Sequence, residues 1–374
     1  MTSKRTPGFV LGLFLSTGVL GSGLFGSGCR GDESAKSAEK KEEAPAEQKP
    51  AVDQKIASAM AAAARANADT PADGNAGQPA PPKDGIMSSE AAARELPVGS
   101  PAAIVFGGAG SAPRVLLGPE RLSSASPATG SLTLSYRSGG SVMPTIDFDL
   151  KLKSGSPEAT GTALAGAVST GNGESVATRF TLSGARPAPN QPGRLPENAK
   201  AEIAKLKGSW VEFVTTAQGA VQSERFKLEG NNLDLEPLVL GSADVLAQVV
   251  LAYPDQPVGA GAFWMMKSRE TANGANVLAY RMVRVESLGQ TATLSVETRR
   301  YLLGDTLPTA GLPPHQVRQF QSDGHATVTL RPGAAYASSA QVDETFVAVV
   351  TPNDRPNQAV PIQSQLKGTF TLAP

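Results

Sequence analysis

A chain of 374 residues is long enough to bury a sizeable core, and its 34 basic residues balance its 34 acidic ones, so no strong field draws it to nucleic acid. One cysteine excludes an internal disulfide framework. Two histidines, His315 and His325, stand in no spaced ligand set, which argues against a zinc centre or another metal cofactor.

Lys4 and Arg5 open the chain, Phe9 to Phe25 is apolar or small, and Gly26, Ser27 and Gly28 lead to Cys29. A basic start, a short apolar run and small residues before a cut site predict a signal peptide over 1–28. A retained membrane helix is the second reading, disfavoured because the run is about the minimum span and rich in glycine. Gly26-Ser27-Gly28-Cys29 resembles the bacterial lipobox, with Gly26 standing where leucine is usual. The resemblance implies a lipidated, palmitate-bearing Cys29, a membrane as partner and a place in the cell envelope. Arg30 replaces the aspartate that marks inner-membrane retention in enterobacterial lipoproteins, which points to the outer membrane over the inner. An ordinary signal peptide with a free thiol at Cys29 is the alternative. Two or more acyl chains would make the attachment effectively permanent.

Residues 29–112 read as the lipidated cysteine and a disordered linker. "DESAKSAEKKEEAPAEQKPAVDQK" is charged and alanine-rich, and "NADTPADGNAGQPAPPKDG" is rich in proline and glycine; neither can bury enough apolar surface to offset chain ordering. Short helices are expected at 54–68 and from Ser88 or Ser89, where serine caps and Glu90 meets the positive helix end. "FGGAGSAP" at 106–113 has no following lysine or helix, so it is no phosphate cradle.

From 113 to 374 the pattern is that of a β-rich body. Ile146, Phe148, Leu150 and Leu152 alternate with Asp147, Asp149, Lys151 and Lys153, and Leu132, Leu134 and Tyr136 do likewise, with "RSGGS" as the turn between them. "TGNGES" at 170–175 predicts a second hairpin turn. Two helices interrupt: one from Pro196 to Gly208, and one capped by Ser242 and stopped by Pro254, so apolar that only enclosure, for example inside a curved sheet, suits it. Strands return around Leu294, Val328, Phe346 and Leu366. The fold class expected is α+β, mainly antiparallel β, a curved sheet or half-barrel packed on one or two helices. Trp210 and Trp264 open similar glycine-bounded strands, which suggests two related halves near 113–230 and 231–374.

"LKGSWVEFVTTAQGAVQSERF", the apolar helix, and "YPDQPVGAGAFWMMK" with "LAYRMVRVESLGQTATLSVETRRY" resemble an uncharacterised family of bacterial lipoproteins. Pro254, Pro257, Val258 and Gly261 match its Pro-x-x-Pro-Val-x-x-Gly phrase, and the resemblance covers roughly 113–374. It implies no activity. Sheet plus enclosed apolar helix is also similar, in architecture alone, to half-barrel lipoprotein carriers that hold acyl chains.

No Gly-x-Ser-x-Gly nucleophile elbow occurs in a strand-to-helix setting. Paired carboxylates could do glycosidase work: Asp147 and Asp149 share a strand face, and Glu297 and Asp343 could meet partners on neighbouring strands, but alternation puts Asp147 and Asp149 on a wet face. The body is therefore expected to be non-enzymatic, with a structural or protein-interaction role in the envelope. The alternative is a binder or carrier of a hydrophobic or lipid ligand between sheet and helix, using Val245, Val249, Phe263, Trp264 and Met266. An unrecognised envelope hydrolase is the last alternative. No cofactor is implied.

Overall fold

The structure is a computed structural model of the chain, and it describes residues 82–118, 125–138, 141–157, 162–165, 175–189, 197–216, 219–229, 236–272, 275–309, 312–351 and 358–374. Cys29, the helix expected at 54–68 and the Asn172-Gly173 turn lie outside the described residues.

Among the described residues, sixteen strands and three helices follow one another: β1 (Ile86–Met87), α1 (Ser89–Glu95), β2 (Ala103–Gly108), β3 (Ala128–Ser138), β4 (Ser141–Val142), β5 (Ile146–Gly155), β6 (Thr162–Ala165), β7 (Ser175–Pro187), α2 (Glu197–Ala204), β8 (Trp210–Thr216), β9 (Val221–Lys227), α3 (Glu236–Val249), β10 (Phe263–Ala272), β11 (Ala275–Leu288), β12 (Ala292–Leu303), β13 (Thr306–Thr309), β14 (Leu312–Leu330), β15 (Ser339–Thr351) and β16 (Val360–Leu372). The fold is mostly antiparallel sheet with few helices. All strands join one sheet, in the order β2-β10-β11-β12-β14-β15-β16-β3-β5-β7-β8-β9-β6, and the sheet is not closed. It is built from two antiparallel runs, β3 to β9 and β10 to β16, which meet where β16 pairs with β3. α3 is the sequence connection between the runs. Among the described residues no helix is long and apolar enough to cross a membrane.

Period-two alternation places the core as expected. Ile146, Phe148, Leu150 and Leu152 of β5 are buried, and Lys151 and Lys153 between them are exposed. Leu134 pairs with Ile146 across the β3–β5 hairpin. The expected second hairpin is corrected by the pairing: β6 lies beside β9, whereas β7 lies between β5 and β8. A turn signal fixes where a chain can reverse but not which neighbour the returning strand adopts.

α1 forms as its sequence predicts, with the Ser88 hydroxyl accepting from the Ala91 amide at 3.2 Å. The described chain from Pro82 already belongs to the body, ahead of residue 113. β1 pairs parallel with β12, and β2 pairs with β10. Met87, Ala92 and Leu96 pack with Met265, Leu278, Tyr280 and Tyr301 in a cluster separate from the main core.

α3 begins at Glu236, not at a Ser242 cap. Ser242 sits inside the helix, its hydroxyl donating to the Leu238 carbonyl at 2.8 Å. Gly241 reads as a break in the apolar pattern, but a β-carbon there would stand 3.3 Å from Leu134 and 3.4 Å from Leu366. Glycine is the residue that lets this turn of helix come so near those side chains. Every side chain from Leu238 to Val249 is buried, and α3 shares its core cluster with Leu134, Phe148, Phe213, Val296, Val328 and Phe370.

Candidate functional site

Two places in this interior combine chemistry with space. The first is a chamber of buried charge. On β10, β11, β12 and β15, the inward-facing residues are Glu270, Arg281, Arg300 and Glu344, all at 4% exposure or less. Glu270 bridges two guanidinia, accepting from Arg281 at 2.5 Å and from Arg300 at 2.7 Å. Arg300 also donates to Glu344 at 2.7 Å. Gln248 of α3 completes the ring: its amide nitrogen donates to Glu344 at 2.6 Å, and its oxygen accepts from Arg281 at 3.2 Å and from Thr298 at 3.0 Å.

Electrostatics in this chamber follow from which groups are paired. Burial pushes the Glu270 carboxyl upward, but the two guanidinia outweigh it and hold Glu270 below the ordinary carboxylate value. Burial opposes the Arg300 charge, and Glu344 and Glu270 more than restore it. Glu224 on β9 has the reverse balance. Burial first, then the negative charge of Glu270, raise its carboxyl well above the ordinary value, against Arg281 and Arg300. Glu224, Glu270, Arg281, Ser268 and Met266 surround a small void together with Ala102, Val221 and Ala247. Neighbouring it, the Ala102 amide donates to the Val221 carbonyl at 2.8 Å.

The second place is an apolar opening at the C-terminal end of α3. Val249, Val250, Leu251 and Tyr253 form one wall, Leu152, Thr178, Phe180 and Phe370 of the sheet another, and Ala335, Tyr336 and Ala337 of the β14–β15 connection a third. A hydroxyl group of residues stands at one side. Ser154 is hydrogen-bonded to Thr178 at 3.1 Å and to the Tyr336 phenol at 2.9 Å. Burial raises the Tyr336 and Tyr253 phenols above their ordinary value.

Of the five residues expected to take a hydrophobic ligand, Val249 lines this opening. Trp264 stands behind it, fully buried, its ring 6.4 Å from that of Tyr253 and its indole N–H on the Ala252 carbonyl at 3.0 Å. Val245 packs on Gly368, where a β-carbon would come within 2.5 Å of both its methyls. Met266 borders the Glu224 void. Phe263 lies over Gly107 and Gly108 and beneath Arg284, whose guanidinium is 5.7 Å from the ring. The five are thus dispersed over four surroundings.

Asp147 and Asp149 are on the wet face as expected, one accepting from Thr133 at 2.7 Å and the other from Arg186 at 2.6 Å. Asp343 pairs with Lys367 at 2.9 Å on the outside of β15 and β16. Both histidines lie within β14, His325 exposed but His315 at 7% exposure. Among the described residues no group of three or more His, Cys, Asp or Glu side chains is arranged to hold a metal ion.

No protein-family profile and no curated protein matches the chain, so the family resemblance in the sequence gains no support from either. Among solved structures, a chain from a structure titled "Lipid-protein interactions in lipovitellin" matches 66% of this chain at a TM-score of 0.38 and 11% identity. The present chain spans 25% of that protein's chain. A likeness at that distance carries no argument about ligand or activity.

Proposed function

We propose that this protein is a non-enzymatic lipoprotein of the bacterial envelope, anchored through Cys29, whose body holds a small apolar ligand in the opening at the end of α3. The observation that supports this is the lining: Leu152, Phe180, Val249, Val250, Leu251 and Phe370 converge on one open space at the end of α3. Concave sites walled by apolar side chains with a few polar groups are the usual form of small-molecule sites. In this reading the sheet is a half-barrel wrapped on α3, and the helix restricts the ligand to one end.

Titration with the uncharged fluorophore N-phenylnaphthylamine tests it. The chain should bind the probe, and Val250→Trp, which fills the mouth from a half-buried position, should weaken binding at least tenfold with an unchanged circular dichroism spectrum. A wild-type chain that takes no probe sinks the reading. A second reading, a structural or protein-interaction role, is favoured by α3 itself: the space a carrier would use is largely occupied by a helix buried on every side.

A further inference from the structure

We infer that the opening at the end of α3 is built for an uncharged single-chain amphiphile, an acyl ester, ether or alcohol, whose head oxygen is held by the Ser154–Thr178–Tyr336 hydroxyls. This rests on the reading that the opening binds an apolar ligand, and adds the chemistry of the head. Ser154 and Thr178 are directly opposite each other across β5 and β7, at 7% and 3% exposure. Tyr336 reaches them from the β14–β15 connection, and Thr178 and Tyr336 both line the opening.

A count of protons shows what this trio lacks. Three hydroxyls bring three protons. Two hydrogen bonds join them, Ser154 to Thr178 and Ser154 to Tyr336, each with either atom as donor. Those bonds use two protons. The third has no acceptor among the described residues, and where it rests on Thr178, at 3% exposure, leaving it unmet is costly. An oxygen at the polar end of a ligand would accept it, while the chain beyond lies against Phe180, Val249 and Phe370.

The charge of the head follows from what is missing around it. None of the twelve lining residues is a lysine, arginine or histidine. The nearest cation along β5, Lys153, is exposed on the opposite face from Ser154. The same burial that raises both phenols would penalise a carboxylate placed beside them. A neutral head is therefore preferred over a fatty acid anion.

Displacement of N-phenylnaphthylamine at pH 8 by decane, decanol, methyl decanoate and decanoate tests the proposal. Decanol and methyl decanoate should displace the probe about fivefold more effectively than decane, the worth of one hydrogen bond, and decanoate should be weakest. Ser154→Ala and Tyr336→Phe should each erase the advantage of the alcohol over decane, both measured on the same variant. Equal displacement by all four, or decanoate ranking first, overturns this proposal and leaves the apolar-ligand reading standing. The same is true if the ranking survives both substitutions, for the hydroxyls would then only tie the loop to the sheet. Absence of probe binding by the wild type removes both.

Discussion

Glu224 is a carboxyl group placed where ionisation is opposed from several sides. Glu270 of β10 and Asp244 of α3 disfavour its charge, and Arg281 of β11 and Arg300 of β12 favour it without prevailing over burial. Its folded-state value is therefore raised, and the folded chain binds this proton more tightly than the unfolded chain does. The associated stability is fully present below the ordinary carboxylate value and is lost as pH rises through the raised one. Glu270 works in the opposite direction: its value is depressed, so its contribution is lost only as pH falls below the ordinary range. Urea unfolding between pH 5 and 8 separates the two. Stability of the wild type should decline with pH over the part of that interval that Glu224 titrates, by at most about 1.4 kcal/mol per pH unit for one proton. Glu224→Gln should flatten the decline. An unchanged slope in the variant means that some other group titrates. No local pattern announces this chamber. Glu270 and Arg281 each sit in strands with charge on both faces, "FWMMKSRETA" and "ANVLAYRMVRVESL", so alternation cannot say which charge points inward. The one usable hint was Asp244 and Gln248, four residues apart on an otherwise apolar helix and hence on one side of it.

At the scale of elements, strands with one wet face were legible because hydrophobicity repeats every two residues in β5, β14, β15 and β16. Helix α3 was legible in its apolar character but not in its start, since Gly241 and Gly368 hold their places by close approach rather than by local propensity. Gly368 of β16 offers the sharper test. A methyl group there would come within 2.5 Å of Val245 Cγ1 and Cγ2. Overpacking of this kind costs about 1–3 kcal/mol, so Gly368→Ala should lower stability by that amount. Val245→Ala opens the space the new methyl needs. The double variant should then be less destabilised than the sum of the single ones, by a coupling of about 0.5–3 kcal/mol, read from denaturant midpoints at constant slope. Strict additivity would mean that α3 does not press on β16 at this point.

For the whole molecule, the question is where the tether ends and the body begins. Composition puts the change near residue 113, because small and polar residues dominate before it, yet the segment from Pro82 is built into the sheet. Leu302 and Phe320 donate backbone hydrogen bonds to Gly85 and Asp84 at 3.0 and 2.8 Å. These contacts join strands more than two hundred residues away in sequence, which no local pattern announces. α1 then crosses to cover Tyr280 and Tyr301, and Glu95 accepts from Lys267 at 2.7 Å and from the Tyr280 phenol at 3.2 Å. Lys267 is 8% exposed, so removing Glu95 would strand a buried cation as well as uncover apolar surface. Two truncations follow. A chain beginning at residue 82 should unfold with the stability of the chain beginning at Cys29, within about 0.5 kcal/mol, as expected for changes away from packed contacts. A chain beginning at residue 97 loses Met87, Ala92 and Leu96 from their cluster together with the Glu95 partner, and should lose roughly 3–5 kcal/mol. Hydrogen exchange should show the added opening in β10 to β12, with β3 to β8 protected as before. Equal stability of the two truncated chains would place 82–96 with the tether, and α1 would then be a passenger on the sheet rather than part of its core.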